Sequence, residues 1–317
     1  MADEFEFQAS EIILSDLSVL STEQSVLQEA RICDLAELAT DAAHFSLKLI
    51  SDGMSICDIF AIICGEITFG ENIVHTEALI ENLQRLHEHF KFLILQDKAV
   101  FSQLYIEKMR ALGVYISESD LLPVGDAQES FVYVKNAFAD EAYDVFSQAF
   151  SDPRVRYAVS LKEALTAVFD GEATYCLLPL EEKGMRLSTV AEMIYRADLK
   201  IVSVTPVFGF DGSADMKYAL VAKRFTAAQY SPDDDRYFEI RLPSDSLVSL
   251  SEVLFAAEAY GVGCYRVNTD IRQEEAGEES SYSIVFKSDG GGFVSLLVYL
   301  TLFAPDYTPV GMYKNLE

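Results

Sequence analysis

The sequence is poor in basic residues. Only 24 Lys and Arg stand against 51 Asp and Glu, which gives a formal net charge of -27. Such an excess of negative charge repels the phosphates of nucleic acids and the anionic leaflet of a membrane. We therefore expect no nucleic acid and no membrane surface as a partner. A site for an anionic ligand would have to be built from a few identifiable cations.

The sequence also lacks paired cysteines, a metal-ligating motif and a long apolar run. Its 5 cysteines are odd in number and form no CxxC pair, so we expect no disulfide framework, no zinc site and a cytoplasmic location. His87 and His89 are two residues apart and cannot share one helix face, so we predict no metal and no cofactor. The acidic start Met1–Phe7 does not resemble a signal peptide, and the short apolar run Ile56–Ile63 predicts a buried helix.

Residues 1–116 are predicted to form an all-helical domain of unknown role. Apolar side chains recur there at steps of four and three, which places one stripe on a helix face: Leu79, Leu83, Leu86, Phe90 and Leu93. A long helix is predicted to end at Gly113. The polar segment Ser117–Glu129 contains Pro123 and Gly125, as is typical of a linker.

From Ser130 onward, short β-rich runs alternate with helical runs. Residues 130–225 are predicted to form an α/β lobe with a largely parallel sheet, in which Ser160 caps a helix. Residues 236–317 predict the ferredoxin-like order βαββαβ. The predicted strands of this tail are Tyr237–Leu242, Cys264–Asn268, Tyr282–Lys287 and Val310–Lys314, and its predicted helices are Val248–Tyr260 and Phe293–Phe303. The predicted class is therefore a multidomain α+β and α/β protein with an N-terminal all-α domain.

Four segments, in order, resemble the prephenate dehydratase family. The run from Tyr157 to Glu181 is similar to the family's helix, Gly and strand that lead into Pro-Ile-Glu-Asn-Ser. The segments 133–142 and 199–207 resemble its first glycine-rich segment and a later strand. The βαββαβ tail is similar to the family's ACT domain, down to Val310-Gly-Met-Tyr313. The resemblance covers the chain from about Ser130 to its end and implies a cleft that converts prephenate to phenylpyruvate.

Most groups that the resemblance implies for this cleft are replaced here. Glu181 is kept, whereas Glu182 and Lys183 stand where the family has Asn and Ser, and Ala139 stands where it has Ser. The Thr-Arg-Phe motif aligns with Met216-Lys217-Tyr218, and Met216 has no proton to donate to a leaving hydroxide. Only the segment 182–215 separates the two strands between which the family places a second lobe. The candidate catalytic positions, all degenerate, are Ala139, Glu181, Glu182, Lys183, Met216, Lys217 and Tyr218.

The ACT-like tail departs from the family as well. Asp245, Ser246 and Leu247 stand at the family's Gly-Ala-Leu, and Asn268 and Thr269 fall in its Glu-Ser-Arg-Pro segment. A helix beginning near Leu247 would offer free N–H groups to an amino-acid carboxylate, but the charge of Asp245 would weaken that binding. The resemblance also implies a homodimer that forms through the tail, because ACT domains commonly pair their sheets.

These substitutions favour a non-catalytic relative of prephenate dehydratase with a regulatory or interaction role in aromatic amino-acid (phenylalanine) metabolism. The alternative is an active prephenate dehydratase in which Lys183, Arg186 and Lys217 replace the usual anion contacts and Glu181 acts as acid or base. A third interpretation, compatible with the first, is a sensor of an amino acid or a prephenate-like ligand. The helical part shows none of the Arg and Lys spacing of a chorismate mutase, to which this family is sometimes fused.

Overall fold

The structure is a computed structural model that describes residues 28–65, 77–125, 129–208, 214–226, 235–274, 277–288 and 291–316. The chain divides into two compact units, Met1–Ile116 and Ser117–Glu317. No helix among the described residues is long and apolar enough to cross a membrane.

The described part of the first unit is helical, as predicted. Its helices are α1 (28–51), α2 (Ile56–Cys64), α3 (Glu77–Phe90) and α4 (Leu95–Ala111). The apolar run predicted as a buried helix is α2, which buries Ile59, Phe60, Ile62 and Ile63. Gly113 ends α4 with a φ of 84°, a left-handed conformation that costs glycine little. Both sequence predictions are confirmed.

Buried aromatic side chains pack against one another in the core of this helical unit. The rings of Phe60 and Phe101 both pack against the ring of Tyr105, with centroids 5.6 and 6.1 Å apart. The buried Tyr105 hydroxyl donates to Ser46 Oγ over 2.8 Å, so its polar atom has a partner inside the core. The unit therefore has a packed core of its own.

In the second unit, the described residues form ten strands and five α-helices after a short 3-10 turn at Glu118–Asp120. The strands are β1 (Ser130–Val134), β2 (Arg154–Ala158), β3 (Tyr175–Glu182), β4 (Met185–Arg186), β5 (Lys200–Phe208), β6 (Ala214–Ala222), β7 (Arg236–Pro243), β8 (Gly263–Glu274), β9 (Gly277–Ser288) and β10 (Thr308–Lys314). The helices are α5 (Ala137–Ser147), α6 (Leu161–Phe169), α7 (Ser188–Arg196), α8 (Leu250–Ala259) and α9 (Phe293–Phe303).

These strands form one sheet in the order β2-β1-β3-β6-β5-β10-β7-β9-β8, with β4 paired to β3. Parallel pairing occurs between β1 and β2, between β1 and β3, and between β5 and β10. The other pairings between these strands are antiparallel, and two isolated parallel bridges join Val124 to Phe225 and Val204 to Asn315. The prediction of a largely parallel sheet was therefore wrong. Within the lobe, β6 lies between β3 and β5 and runs antiparallel to both. Antiparallel neighbours do not need a helical crossover between them.

Helices cover both faces of the lobe part of this sheet. On one face α5 packs on an aromatic cluster that includes Phe131, Tyr133 and Tyr175. On the other face α6 and α7 pack on smaller aliphatic side chains such as Val132 and Leu178. Ser160 caps α6 by accepting from the Glu163 N–H, as predicted. The helix begins where the sequence placed it because this cap satisfies an otherwise unpaired N–H group.

The tail follows the predicted βαββαβ order as β7, α8, β8, β9, α9 and β10. Helix α9 has the predicted bounds, and the four strands extend beyond their predicted ends by one to six residues. Helix α8 starts at Leu250, later than predicted, because Ser249 and Glu252 form a capping box there. The element order is thus confirmed, whereas its assignment as an ACT domain stays a proposal.

The strands of the predicted lobe and of the predicted tail meet where β10 pairs with β5. Gly311 of β10 lies opposite Ile201 of β5. A Cβ atom added at Gly311 would lie 3.1 Å from Ile201 Cβ and 2.9 Å from the Tyr313 ring, so this close approach explains the glycine. Whether residues 130–225 and 236–317 act as separate domains stays a prediction, although their strands share one sheet.

The segment predicted as a linker is anchored to the second unit in its described part. The Glu118 carboxylate pairs with Arg236 at 2.5 Å, and the Gly125 N–H donates to the Phe225 carbonyl over 3.0 Å. Pro123 and Gly125 therefore lie in a segment that is bound to the second unit, and not in a free linker. Residues 126–128 lie outside the described part of the chain.

Candidate functional site

Glu181 lies at the end of β3 and is the centre of the candidate site. It is 5% exposed, and its carboxylate faces two cations: Arg266 Nη1 lies 2.6 Å from Oε1, and Lys217 Nζ lies 3.4 Å from Oε2. Lys217 stands opposite Glu181 in the pairing of β3 and β6. Burial by itself lowers the pKa of the Arg266 guanidinium, but its hydrogen bond and charge contact with Glu181 raise it above the ordinary value.

The contact between Glu181 and Arg266 shows that the sheet curls strongly. Strand β3 and strand β8 are six steps apart in the strand order. In a flat sheet, six spacings of ~4.8 Å would separate them by ~29 Å. Their side chains nevertheless form a 2.6 Å ion pair. The curl therefore brings a charged face of the tail over the end of the lobe.

A second ion pair lies beside the first. Arg186 of β4 pairs with Glu239 of β7, and the Tyr313 hydroxyl donates to Glu239 Oε2 over 3.4 Å. Burial alone lowers the pKa of Arg186, but the negative charges of Glu239 and Glu181 more than offset it and raise that pKa. Burial and the Glu239 charge raise the pKa of Tyr313. We call these side chains the charged cluster: Glu181, Arg186, Lys217, Glu239, Arg266 and Tyr313.

Helix α7 closes the space next to the charged cluster. Arg241 of β7 stacks on the ring of Tyr195 with a centroid distance of 4.0 Å, and its Nη1 lies 3.2 Å from Glu192 Oε2. Its Nε also donates to Ser281 Oγ over 2.6 Å. Burial and the nearby charge of Glu192 raise the pKa of Asp270, against the opposing charge of Arg186. Positive and negative side chains therefore alternate across this buried face and neutralise each other.

The opposite face of the same strands carries the other predicted positions. The Asn136 side chain accepts from the Ala139 N–H over 3.0 Å and so caps α5. The Tyr218 hydroxyl donates to the same Oδ1 atom over 3.4 Å, and burial raises the pKa of Tyr218. Because Asn136 already occupies the helix N-terminus, the best anion-binding position on this face is satisfied from within.

The candidate catalytic positions are thus divided between the two faces. Neighbouring side chains in a strand point to opposite faces, so Lys217 joins Glu181 while Met216 and Tyr218 pack on the aromatic cluster beneath α5. Glu182 is exposed opposite Met216. Lys183 lies in the turn between β3 and β4, where it has a φ of 50° and precedes Gly184 with a φ of 77°, a pattern typical of a two-residue hairpin turn.

The tail residues predicted to bind an amino acid lie apart in the sheet. Ser246 Oγ donates to Asp306 Oδ1 over 2.8 Å in the loop that also holds Asp245, and the Leu247 side chain is 91% exposed. Asn268 and Thr269 are in β8, which β9 separates from β7. Two strand spacings of ~4.8 Å therefore lie between these residues and the strand that leads into the loop.

The helix N-terminus that was predicted to bind a ligand carboxylate lies at a different residue in the structure. The expected helix start near Leu247 was wrong, because α8 begins at Leu250. Two N–H groups at this helix start are engaged: the Glu252 N–H donates to Ser249 Oγ over 3.3 Å, while the Ser249 N–H donates to Glu252 Oε2 over 2.9 Å. The capping box therefore competes with any carboxylate at this helix start.

Sequence reasoning missed Glu239, Arg241 and Arg266 as parts of this site. One signal was available, since Glu239 and Arg241 alternate with the apolar residues Phe238 and Ile240 of β7. Such alternation is typical of a strand with one solvated face. The curl buries that face instead, so Glu239 is 2% exposed and Arg241 is 6% exposed. Charged residues at this depth are rare unless they are paired.

No family model and no curated protein matches this chain. Among solved structures it is similar to a prephenate dehydratase from Streptococcus mutans, with 14% identity, 60% of this chain and 99% of that chain covered, and a TM-score of 0.45. It is also similar to GqqA, described as a novel type of quorum quenching acylase (17% identity, 59% and 96% covered, TM-score 0.43).

A third similar structure is a prephenate dehydratase from Arthrobacter aurescens in complex with L-Phe. Its identity is 15%, 58% of this chain and 89% of that chain are covered, and the TM-score is 0.43. The likeness to prephenate dehydratases is distant at these scores, and it assigns no activity. Any function of this chain has to be inferred from its own residues and their contacts.

Proposed function

We propose that this chain is a prephenate dehydratase-like protein that does not carry out the dehydration and has a regulatory or interaction role linked to phenylalanine metabolism. The proposal rests on one observation: the cations at the candidate site are paired with carboxylates. Lys217 and Arg266 both pair with Glu181, and Arg186 pairs with Glu239. Each of these cations is already in contact with a carboxylate of the chain itself, with Glu181 shared between Lys217 and Arg266.

A dianionic substrate would have to compete with these internal pairs. Glu181 is buried, so taking Lys217 or Arg266 from it would leave a buried carboxylate with less compensation. Leaving a buried charge without any partner costs about 3–5 kcal/mol, and losing one of two partners costs a part of that. Binding of prephenate at this position would therefore begin with a penalty that an open pair of arginines does not impose.

The proton chemistry is also missing at the aligned position. Met216 packs on the aromatic cluster, and its thioether has no proton to give to a departing hydroxide. The hydroxyl of Tyr218, on the same face, is engaged with Asn136, and burial raises its pKa. A general acid needs a pKa near the working pH, which this phenol does not have.

The tail would then supply the regulatory part of the proposal. Its βαββαβ order supports an ACT-like domain that dimerises through its sheet and that retains at most weak affinity for an amino acid. The engaged start of α8 and the negative charge of Asp245 both work against tight binding of a carboxylate. The part played by the helical first unit is left open by this proposal.

The experiment is a prephenate turnover assay on the full chain, read as phenylpyruvate absorbance in alkali. We expect no product above the protein-free rate at 1 mM prephenate, a concentration on the order of the upper range of enzyme KM values. A thermal-shift titration with prephenate runs beside it, because a ligand bound by the native state raises the melting temperature. We expect no shift.

Two variants make the assay decisive. If the alternative of an active dehydratase is right, turnover on the order of 1 per second or faster should appear, and Lys217→Met should abolish it while Lys162→Met, at an exposed position of α6, should not. Product formed at that rate and lost in Lys217→Met would refute the non-catalytic proposal. Absence of turnover in all three proteins, next to an active dehydratase as positive control, supports it.

A further inference from the structure

Strand β2 is one end of the sheet and pairs, among the described residues, with β1 alone. Its side chains from Arg154 to Tyr157 are all exposed, and Ala158 is the first buried residue. An edge strand that is exposed on both faces is uncommon in a packed α/β layer, because its open edge is a template for pairing with another chain.

The unpaired backbone groups of β2 belong to Val155 and Tyr157. Consecutive residues of a strand direct their N–H and C=O groups to opposite edges. The Arg154 N–H donates towards β1, to the Glu129 carbonyl over 2.7 Å. The Val159 N–H donates instead to the Glu163 carboxylate over 2.9 Å, which satisfies the far end of the outer edge. Val155 and Tyr157 share the direction of Val159, so their N–H and C=O groups form the open edge.

The two faces of this edge have different chemistry. Arg154 and Arg156 lie on the α6 face, where Arg156 Nη1 is 2.9 Å from the Glu172 carboxylate. Val155 and Tyr157 lie on the α5 face and are 37% and 52% exposed. Lys135 Nζ lies 4.8 Å from the centre of the Tyr157 ring. The strand thus carries cations on one face and apolar groups on the other, and no acid.

This pattern selects the chemistry of a partner strand. A second copy of β2 would bring arginine opposite arginine, and like charges directly opposite each other destabilise a strand pair. An acidic strand would gain from the same arrangement. The pair of Arg156 with Glu172 lies on the surface, with half of each side chain exposed, and such pairs contribute only about 0–1 kcal/mol, so a partner carboxylate can replace Glu172.

We infer that the open edge of β2 binds an extended acidic segment of a partner protein as an added strand, with its carboxylates towards Arg154 and Arg156 and its apolar side chains towards Val155 and Tyr157. Main-chain hydrogen bonds to Val155 and Tyr157 supply affinity, and the alternating side chains supply selectivity. The net charge of -27 opposes an acidic partner at long range. That repulsion is screened beyond about 8 Å at physiological ionic strength, whereas contact pairs are not.

The test is fluorescence anisotropy of the full chain with a fluorescein-labelled peptide of alternating glutamate and valine. Peptides of alternating lysine and valine, and of the same glutamate and valine composition in blocks, are the comparisons. We expect the alternating acidic peptide to bind with a Kd on the order of 1–100 μM. The lysine peptide and the block peptide should each bind at least about tenfold more weakly, since like charges and a lost face pattern both disfavour pairing.

Variants separate strand addition from simple charge attraction. Val155→Pro removes an outward N–H group at an edge position where proline is tolerated, so it should weaken binding at least about tenfold while the pairing with β1 persists. Val155→Ala keeps the N–H group and is the matched control. The double variant Arg154→Glu/Arg156→Glu should no longer bind the acidic peptide and should bind the lysine peptide instead. Circular dichroism verifies that each variant is folded.

Three results would overturn the inference. They are a Kd weaker than 1 mM for the acidic peptide, equal affinity of Val155→Pro and Val155→Ala, and full competition by a single-stranded oligonucleotide, which shares the charge but has no strand backbone. The β2 edge contains no member of the charged cluster. The outcome of this binding test therefore has no bearing on the proposal of a non-catalytic role.

Discussion

Lys217 and Tyr218 are neighbours in β6, yet their side chains enter two different environments. Lys217 joins the charged cluster, where its neighbour Glu181 is 5% exposed and paired twice. Tyr218 enters the aromatic face beneath α5 and is 3% exposed. Ion pairs between buried side chains stabilise one face. Aromatic rings that each pack against several neighbours stabilise the other.

The two faces respond differently to the loss of a side chain. A buried charge depends on one or two specific partners, so losing a partner leaves a large uncompensated desolvation cost. An aromatic ring has many small contacts, so losing some of them costs in proportion. A ligand that needs cations must therefore break a pair on the charged face, whereas the aromatic cluster, as far as it is described, is built of apolar and aromatic side chains alone.

The largest effect is expected for the pair of Arg186 and Glu239. Arg186→Met should lower the free energy of unfolding by about 3–5 kcal/mol, because Glu239 would be left buried with only the Tyr313 hydroxyl. Urea unfolding of the full chain, followed by circular dichroism, measures the change. The double variant Arg186→Met/Glu239→Leu removes both charges and should recover most of the loss. A double variant as unstable as the single one would show that packing, and not charge pairing, is responsible.

A smaller effect is expected on the aromatic face. The Phe131 ring lies 4.9 Å from the Phe150 ring and 5.2 Å from the Tyr175 ring. Phe131→Leu keeps an apolar side chain but loses these ring contacts, which should cost about 1–2 kcal/mol. Phe138→Leu on exposed α5 surface is the control and should change stability by less than about 0.5 kcal/mol. A loss as large as that of Arg186→Met would remove the distinction between the two faces.

The smallest effect is expected in the pH dependence set by Asp270. Burial and the charge of Glu192 raise its pKa in the folded state above its unfolded value. The folded state then holds this proton more tightly, so Asp270 lowers the free energy of unfolding as pH rises above about 4, the unfolded pKa. Asp270→Asn should remove that decline. The difference between the two proteins in urea unfolding should therefore grow as pH rises above about 4 and level off above the folded-state pKa of Asp270, and a constant difference would contradict the assignment.

Much of the local structure follows from the sequence. The cap at Ser160, the glycine stop at Gly113 and the buried helix α2 were predicted because each depends on a few neighbouring residues. The order βαββαβ of the tail followed from periodicity in the same way. Helix α8 was placed too early because the capping box at Ser249 competes with Ser246, and side-chain preference alone does not choose between them.

The candidate site was less accessible to sequence reasoning. The resemblance pointed to Glu181 and Lys217, and the structure pairs them. It also grouped Met216 and Tyr218 with them, whereas strand geometry sends these two to the other face. Arg266 and Glu239 are far from Glu181 in the chain and belong to no motif, so only the curl of the sheet brings them into the charged cluster.

Caps, glycines and apolar periodicity act over a few residues, so many helices and strands, and several of their ends, can be predicted from the amino-acid sequence. Neither the antiparallel position of β6 between β3 and β5 nor the burial of the polar face of β7 follows from such local patterns. The physical reason is that alternation shows a strand to have two unlike faces without showing what covers each one. Here the curl of the sheet between β3 and β8 covers the polar face with α7 and the end of β3, and opposite charges make that burial stable.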